Sequence, residues 1–381
     1  MNVLQVMGCT SDQYASMERY LVRKAEVLSR EDSRLVVVYE NTPRSEAFVQ
    51  DFRFAGGILE QCRLRGATDN RFHRQILALI TKYAIRVAHG YFTPTCYHLA
   101  LGLRLRGFNN IVRTAANMPL WGGAETLARD KMPTLHDRLK HRALARLFKK
   151  ILCRSKGVFD AFLKLGVPAS RLIVADGGCD TGRYRFQPDV RERVRGELGI
   201  SDADLVLGVC CRLVPVKRLD RLIRLIARVK AKLPLRLLIA GDGPERERLE
   251  SLTRDLKANR QVQFLGHCDD LSDLYSSFDI FCLPSEAEGM SNSILEAMSC
   301  QLPVLATDIP PNRGLVQPGR SGFLLSFEVQ TEFKHHLRSL SSADVRISMG
   351  AFGRRLVEER FSIESRIAKE VKVYREVLGQ A

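Results

Sequence analysis

Short apolar runs alternate along the chain with stretches in which apolar residues return every three or four positions. In the first half, VLQVM, RLVVVY, IRVAHG and NIVRTAA read as buried strands, and MERYLVRKAEVLSR and QILALITKYA as helices. The pattern restarts after VADGGCDTGRYRFQP. DLVLGVCC, LRLLIAG, VQFLG, DIFCLP, PVLAT and GFLL then read as strands, and DRLIRLIARVKAKL, ERERLESLTRDL, residues 293–300 and EFKHHLRSL as helices. Two successive runs of βα units predict an α/β chain of two doubly wound, Rossmann-like parallel-sheet domains, 1–178 and 179–355, facing across a cleft. Ligands in such sheets sit beyond the carboxyl ends of the strands, so chemistry is expected in the loops that follow them.

Composition changes this picture at three points. The 381 residues are ample for two domains, and no apolar run approaches the roughly 18–20 residues that span a bilayer. MNVLQVMGCTSDQY lacks the charged leader and long apolar core of a secretory signal, which predicts a cytoplasmic protein. The ten cysteines include no CxxC pair and no His at ligand spacing, so neither zinc nor a redox pair is expected. The charge is lopsided. Residues 1–190 hold 30 Lys/Arg against 17 Asp/Glu, whereas residues 191–381 hold 29 against 26. Residues 101–156 alone hold 13 basic and 3 acidic residues. There, HDRLKHRALARLFKKILCRSK interleaves Leu139, Leu144, Leu147, Phe148 and Ile151 with Arg and Lys at helical spacing. Such a helix is either docked on the core with a solvated basic face, or leans on anionic lipid or a pyrophosphate-bearing substrate. Nucleic acid is a third partner class, but no recognition motif accompanies the charge.

The loops of the second half carry the candidate chemistry. Arg212 and Lys217 bracket RLVPVKR after DLVLGVCC, and two cations there could hold diphosphate oxygens, the alternative being a pair of surface bases. Gly241 and Gly243 let the chain turn tightly after LRLLIA, and Pro244 can open a helix. After DIFCLP comes EAEGMSNSILEAMS, with Glu288 ahead of a helix and Glu296 within it. Ser293 and Glu296 stand in the S-x-x-E register of a capping box, which needs no ligand. Glu288, however, precedes the helix, and the amides around Ser293 and Ile294 point where a phosphate would sit. Two carboxylates able to grip hydroxyl pairs, with phosphate between them, fit a nucleotide diphospho-sugar.

The ordered series CRLVPVK, LLIAGDGPERERL, VQFLGHCDDLSDLYSSFDIFCLPSEAEGMSNSILEAMSCQLPVLATDIPPNRGLV and GRSGFLL resembles the donor domain of retaining GT-B glycosyltransferases of family 4, the glycosyl transferases group 1, over roughly residues 205–325. Glu288 to Glu296 matches that family's E-x7-E motif, and FSIESRIAKEVKVYREVL is similar to its last helix, which crosses back to the first domain and here falls in 356–381. The resemblance implies a metal-independent transferase with no cofactor beyond its nucleotide-sugar substrate. Arg212 and Lys217 would bind the diphosphate, and Glu288 would hold the sugar, with Gly289, Met290 and Ser291 in backbone contact. Ser293 and Ile294 would offer amides to phosphate, Glu296 would bind the ribose, and Gly266 and His267 would border the base. The D-A-D at 202–204 precedes its strand and reads as a turn rather than a metal motif.

The first half departs from the family pattern. Its turn after the first strand, GCTSDQYAS, has the single glycine Gly8 where members carry several. Where members place a His near the reacting sugar, NIVRTAANMPLWGG offers Ala116 or Asn117, and His89 is the nearest substitute, the alternative being a structural hydrogen bond. The resulting expectation is transfer of a sugar from a UDP- or GDP-sugar, with retention, to a hydroxyl of a saccharide or lipid-linked polysaccharide precursor. The basic first domain would receive the acceptor, at the inner face of the plasma membrane. A nucleotide-sugar epimerase or phosphorylase on the same fold, and a basic nucleic-acid-binding protein, are the other classes considered.

Overall fold

The computed structural model describes residues 1–7, 14, 16–62, 70–91, 95–115, 133–229, 234–268 and 270–380. They form two compact units, one of Met1–Gly178 with Ile363–Ala381 and the other of Cys179–Ser362.

The first unit holds seven parallel strands, β1 (Asn2–Met7), β2 (Leu35–Tyr39), β3 (Ile58–Gln61), β4 (Ile85–Tyr91), β5 (Ile111–Ala115), β6 (Lys150–Cys153) and β7 (Leu172–Val174). Their order is β3-β2-β1-β4-β5-β6-β7, so the winding reverses between β1 and β4. β2 is buried along its whole length, which is why LVVVY shows no alternation. The predicted basic helix is shorter than its spacing suggested. It runs Leu135–Ala145, and KILC is instead β6, the inner neighbour of edge strand β7. The apolar spacing that links Leu147, Phe148 and Ile151 to the helix is core packing across a turn: Phe148 and Ile151 are both buried.

The last helix, Ile363–Val377, belongs to this first unit through a buried polar cluster. Lys24, fully buried, donates to Gln5 Oε1 at 2.8 Å, Glu370 Oε2 at 2.8 Å and the Tyr374 hydroxyl at 2.7 Å. Arg366 donates to the other Glu370 oxygen at 3.1 Å, as does Tyr91, and Tyr20 also donates to Glu370. Burial alone would raise the Glu370 carboxyl, but Lys24 and Arg366 beside it hold it well below the usual carboxylate range.

The second unit holds six parallel strands, β8 (Leu205–Cys210), β9 (Leu235–Ala240), β10 (Val262–Gly266), β11 (Ile280–Leu283), β12 (Val304–Thr307) and β13 (Gly322–Leu325). The order is β10-β9-β8-β11-β12-β13. Alternate residues serve opposite cores: Leu205, Leu207 and Val209 pack on one face of β8, and Val206 and Cys210 on the other. Helix Leu219–Arg228 seals the first of these cores with Leu222, Ile223, Leu225 and Ile226. The D-A-D stretch is a turn: the Ser201 amide donates to Asp204 Oδ2 at 2.9 Å, and the Asp204 amide to Ser201 O at 3.0 Å.

Candidate functional site

The chain of the second unit leaves β8 outward to β9 and β10, then returns to pair β11 on the other side of β8. The winding therefore reverses between β8 and β11, and in open sheets of this class ligands sit beyond the carboxyl ends of the two strands at such a switch point. Arg212 and Lys217 follow β8, and Glu288 follows β11. The two loops are laced together, the Glu286 amide donating to Val216 O at 2.8 Å. Within this junction Lys217 Nζ donates to Glu288 Oε1 at 2.6 Å, both side chains being largely buried. The predicted cation and the first predicted acid thus meet. Arg212 is exposed and, among the described residues, has no acid paired to it. Glu286 is braced from below by Arg218 and Arg221, each at 3.3 Å. Arg218, with φ 49°, caps the Leu219–Arg228 helix in the left-handed region.

The glycines after β9 serve this loop more than their own turn. The Leu213 amide donates to Asp242 O at 2.9 Å, and the Glu245 amide to Leu213 O at 3.0 Å, so the two loops lie backbone to backbone. A Cβ at Gly241 would stand 1.9 Å from Cys211 O, and one at Gly243 would stand 2.4 Å from Leu213 O. Only glycine admits that approach. The next helix starts at Arg246, two residues beyond Pro244, and not on the proline itself. Gly266, with φ 74°, accepts the Gly241 amide at 2.7 Å and carries the exposed His267 past the end of β10.

The second acid has other company. Glu296 lies in the helix Asn292–Ser299 and is 8% exposed. It accepts a hydrogen bond of 2.9 Å from the Tyr275 hydroxyl. Burial raises its carboxyl above the usual range; the Tyr275 bond and the nearby Arg183, itself paired with Asp270 at 2.6 Å, offset this in part. The expected Ser293–Glu296 capping box does not form. The helix begins two residues earlier than that register requires, with Ser291 as its N-cap, and Ser291 Oγ donates to Asn312 Oδ1 at 2.9 Å instead of bonding a helix amide. Ser293 consequently sits inside the first turn. Its amide has no acceptor among the described residues, whereas the Ile294 amide donates to Ser291 O at 3.1 Å. One of the two expected open amides is therefore already used. Gly289 and Met290 are half-buried in the loop between Glu288 and this N-cap.

In the first unit, His89 is fully buried on β4. One ring nitrogen bonds the Tyr374 hydroxyl at 2.5 Å and the other the Thr114 hydroxyl at 2.8 Å, and burial with nearby Lys24 holds the imidazole well below its usual range. Its ring is committed to the core, so the structural alternative accounts for it and an acceptor-side role does not. Gly8, Ala116 and Asn117 lie outside the described residues. Sequence reasoning missed Tyr275, Arg183 and Glu286. Tyr275 comes from a six-residue helix, Ser272–Ser277, with no acid–base spacing to mark it.

Residues 190–355 match the family model described as glycosyl transferases group 1. The chain is 28% identical to an N-acetyl-alpha-D-glucosaminyl L-malate synthase of Bacillus anthracis, over 51% of each protein. It is 33% identical to a GDP-mannose-dependent alpha-mannosyltransferase of Mycobacterium tuberculosis, over 51% of this chain and 48% of that one. The matches thus span about half the length of these curated relatives. Among solved structures, the UDP complex of Anabaena HepE superposes with a TM-score of 0.78 at 18% identity, covering 99% of this chain and 100% of that one. A glycosyltransferase of Rickettsia africae gives 0.82 at 17% identity, covering 100% and 99%. At those identities the structures speak to the fold, which is GT-B with two Rossmann-like units. Similarity to the glycosyl transferases group 1 family is thus carried by residues 190–355, somewhat less than half of the chain.

Proposed function

We propose that the protein is a retaining glycosyltransferase that moves a sugar from a UDP- or GDP-linked donor to a hydroxyl of a saccharide or lipid-linked acceptor. The observation that carries the reading is the Lys217–Glu288 pair at the β8/β11 junction, with Arg212 on the same loop. Lys217 and Arg212 would take the diphosphate oxygens together with the Ser293 amide, the charge load a divalent ion bears in other transferases. Glu288 would then release Lys217 to phosphate and accept hydroxyls of the transferred sugar. Glu296, paired with a neutral tyrosine rather than a cation, is suited to the ribose. As the bond from the anomeric carbon to the phosphate oxygen breaks, the two cations would stabilise charge growing on that oxygen. The acceptor oxygen would bond the same face of the carbon and pass its proton to the departing phosphate, a route that needs no His89. The dependence of one relative on GDP-mannose and the UDP in one fold neighbour support a nucleotide donor.

The test is thermal unfolding with UDP, GDP and ADP, on the wild type and on Lys217→Ala. A nucleotide at about 100 times its dissociation constant stabilises the folded state by roughly 2.7 kcal/mol. One base is expected to do so, and Lys217→Ala to abolish most of the gain while lowering turnover about 100- to 1,000-fold, the scale of one lost transition-state donor. No stabilisation by any nucleotide would sink the reading, and an inverted anomeric product would sink its retaining part.

A further inference from the structure

We propose that Asn312 is a positioning residue. Through Ser291 it holds the loop that carries Glu288, and so sets where the transferred sugar is gripped. This deepens the function proposed above and rests on it for the role of Glu288. Asn312 lies in the helical turn Pro310–Arg313 after β12 and is fully buried. Its Nδ2 donates to Thr307 O, at the end of β12, at 2.9 Å, and its Oδ1 accepts from Ser291 Oγ at 2.9 Å. A carbonyl oxygen can only accept, so Thr307 decides which end of the Asn312 amide faces Ser291. The backbone of Asn312 is fixed as well, its amide donating to Ile309 O at 3.0 Å and its carbonyl accepting from Val316 at 2.8 Å. Asp308 and Arg313 staple the turn from outside through two hydrogen bonds of 2.6 and 3.0 Å.

Two features point to the acid loop rather than to general packing. Ser291 is the N-cap of the helix Asn292–Ser299, a place where a serine ordinarily accepts from an amide of the first turn. Its hydroxyl makes no such bond and turns to Asn312, so a cap is forgone for a tether. The loop is also fastened at both ends. The Glu286 amide is tied to Val216 O, and Ser285 and Ser291 are buried, whereas residues 286–290 between them are half-buried. Glu288 itself is held by Lys217, which in the proposed mechanism turns to the diphosphate. Once that bond is given up, the Ser291–Asn312 tether remains, because it uses no side chain assigned to the donor. The same joint starts the helix that carries Glu296, so it fixes one acid relative to the other.

The experiment compares the full-length wild type with Ser291→Ala, Asn312→Ala and the double variant. UDP-glucose, UDP-N-acetylglucosamine and GDP-mannose are the donor probes. Their hydrolysis to free nucleotide reads turnover, and thermal shifts by UDP and GDP read nucleotide binding. Ser291→Ala removes the tether but no helix cap, so it is expected to fold as the wild type does. Its kcat is expected to fall about 10- to 100-fold, the scale of a displaced binding group, with KM and the nucleotide shift changed by less than about twofold. Asn312→Ala is expected to lose at least as much, and the double variant no more than the worse single one, since both substitutions break one tether. Loosened packing alone would instead lower the unfolding temperature and leave kcat, measured well below it, intact. Normal kcat in Ser291→Ala, losses that multiply in the double variant, or a nucleotide shift that falls in step with kcat would each overturn the proposal while the transferase reading stands. A wild type that answers to no nucleotide, or hydrolyses none of the three donors, would sink the transferase reading as drawn and this inference with it.

Discussion

Glu370 in the first unit and Glu296 in the second are both buried glutamates, 1% and 8% exposed, and their surroundings treat them oppositely. Glu370 faces Lys24 and Arg366 and three tyrosine hydroxyls, and its carboxyl is held far below the ordinary range. Glu296 has one tyrosine hydroxyl, while the nearest guanidinium is committed to Asp270, and its carboxyl is raised. The first is saturated from within the protein and has nothing left to offer a ligand. The second retains acceptor capacity that its own neighbours do not fill. Burial alone does not distinguish the two acids; the number of donors committed to each does.

The sharpest way to break the comparison is to remove the saturated acid. Glu370→Leu strands Lys24 and Arg366 as buried, uncompensated charges, and removing one member of such a cluster costs about 3–5 kcal/mol. The expected outcome in urea unfolding is a loss of that size in the transition of the first unit. The contribution of Glu370 is present above the ordinary glutamate range and fades as pH falls through its depressed value. The wild type and the variant should therefore converge in strong acid. A loss below 1 kcal/mol at neutral pH would mean that the cluster is decoration.

A middle-sized effect belongs to the loops. Gly243→Ala places a methyl against Leu213 O, at a φ of 156° that disfavours side chains. Strain of this kind costs about 1–3 kcal/mol. Because the loop that would give way carries Arg212, nucleotide affinity should fall together with stability. The same substitution at Gly196, which has nothing within 4 Å, should do neither. If Gly243→Ala binds nucleotide as the wild type does, the backbone contact does not position the cations.

The second sheet was legible in the sequence because its four inner strands are apolar runs buried on both faces for most of their length. Runs such as LVLGVC and LRLLIA need no partner to be recognised. The first sheet was less so. β3 is ILEQ, half-exposed at an edge, and β7 is the three-residue LIV, so neither stands out from its loop. KILC was absorbed into the preceding helix because Ile151 continues its spacing by coincidence. The Lys217–Glu288 junction could be anticipated as a pair of loops after strands, since charge placement relative to strand ends is local information. What surrounds Glu296 and His89 could not. Their partners Tyr275 and Tyr374 are 21 and 285 residues distant, and the capping-box register of Ser293 and Glu296 matches a local rule that tertiary contacts override.

The smallest effect has an unusual sign. With its carboxyl raised, Glu296 holds its proton in the folded protein at pH values where the unfolded chain has released it. Folding then takes up a proton, and stability falls as pH rises from the ordinary glutamate range through the raised value, staying flat above it. Glu296→Gln keeps an acceptor for Tyr275 but has no charge to bury. The variant should match the wild type in acid and exceed it near neutral pH, by up to about 1 kcal/mol, the scale of one net hydrogen bond. Its response to nucleotide should move the other way, because an amide accepts hydroxyl pairs less well than a carboxylate does. Thermal unfolding from pH 4 to 8, with and without nucleotide, reads both at once. A variant that is less stable at neutral pH would show that the protein is built around the charged form of Glu296, making it a second Glu370. One that is more stable yet binds nucleotide unchanged would leave the acid strained for no purpose at this site, and the ribose role would pass to another residue.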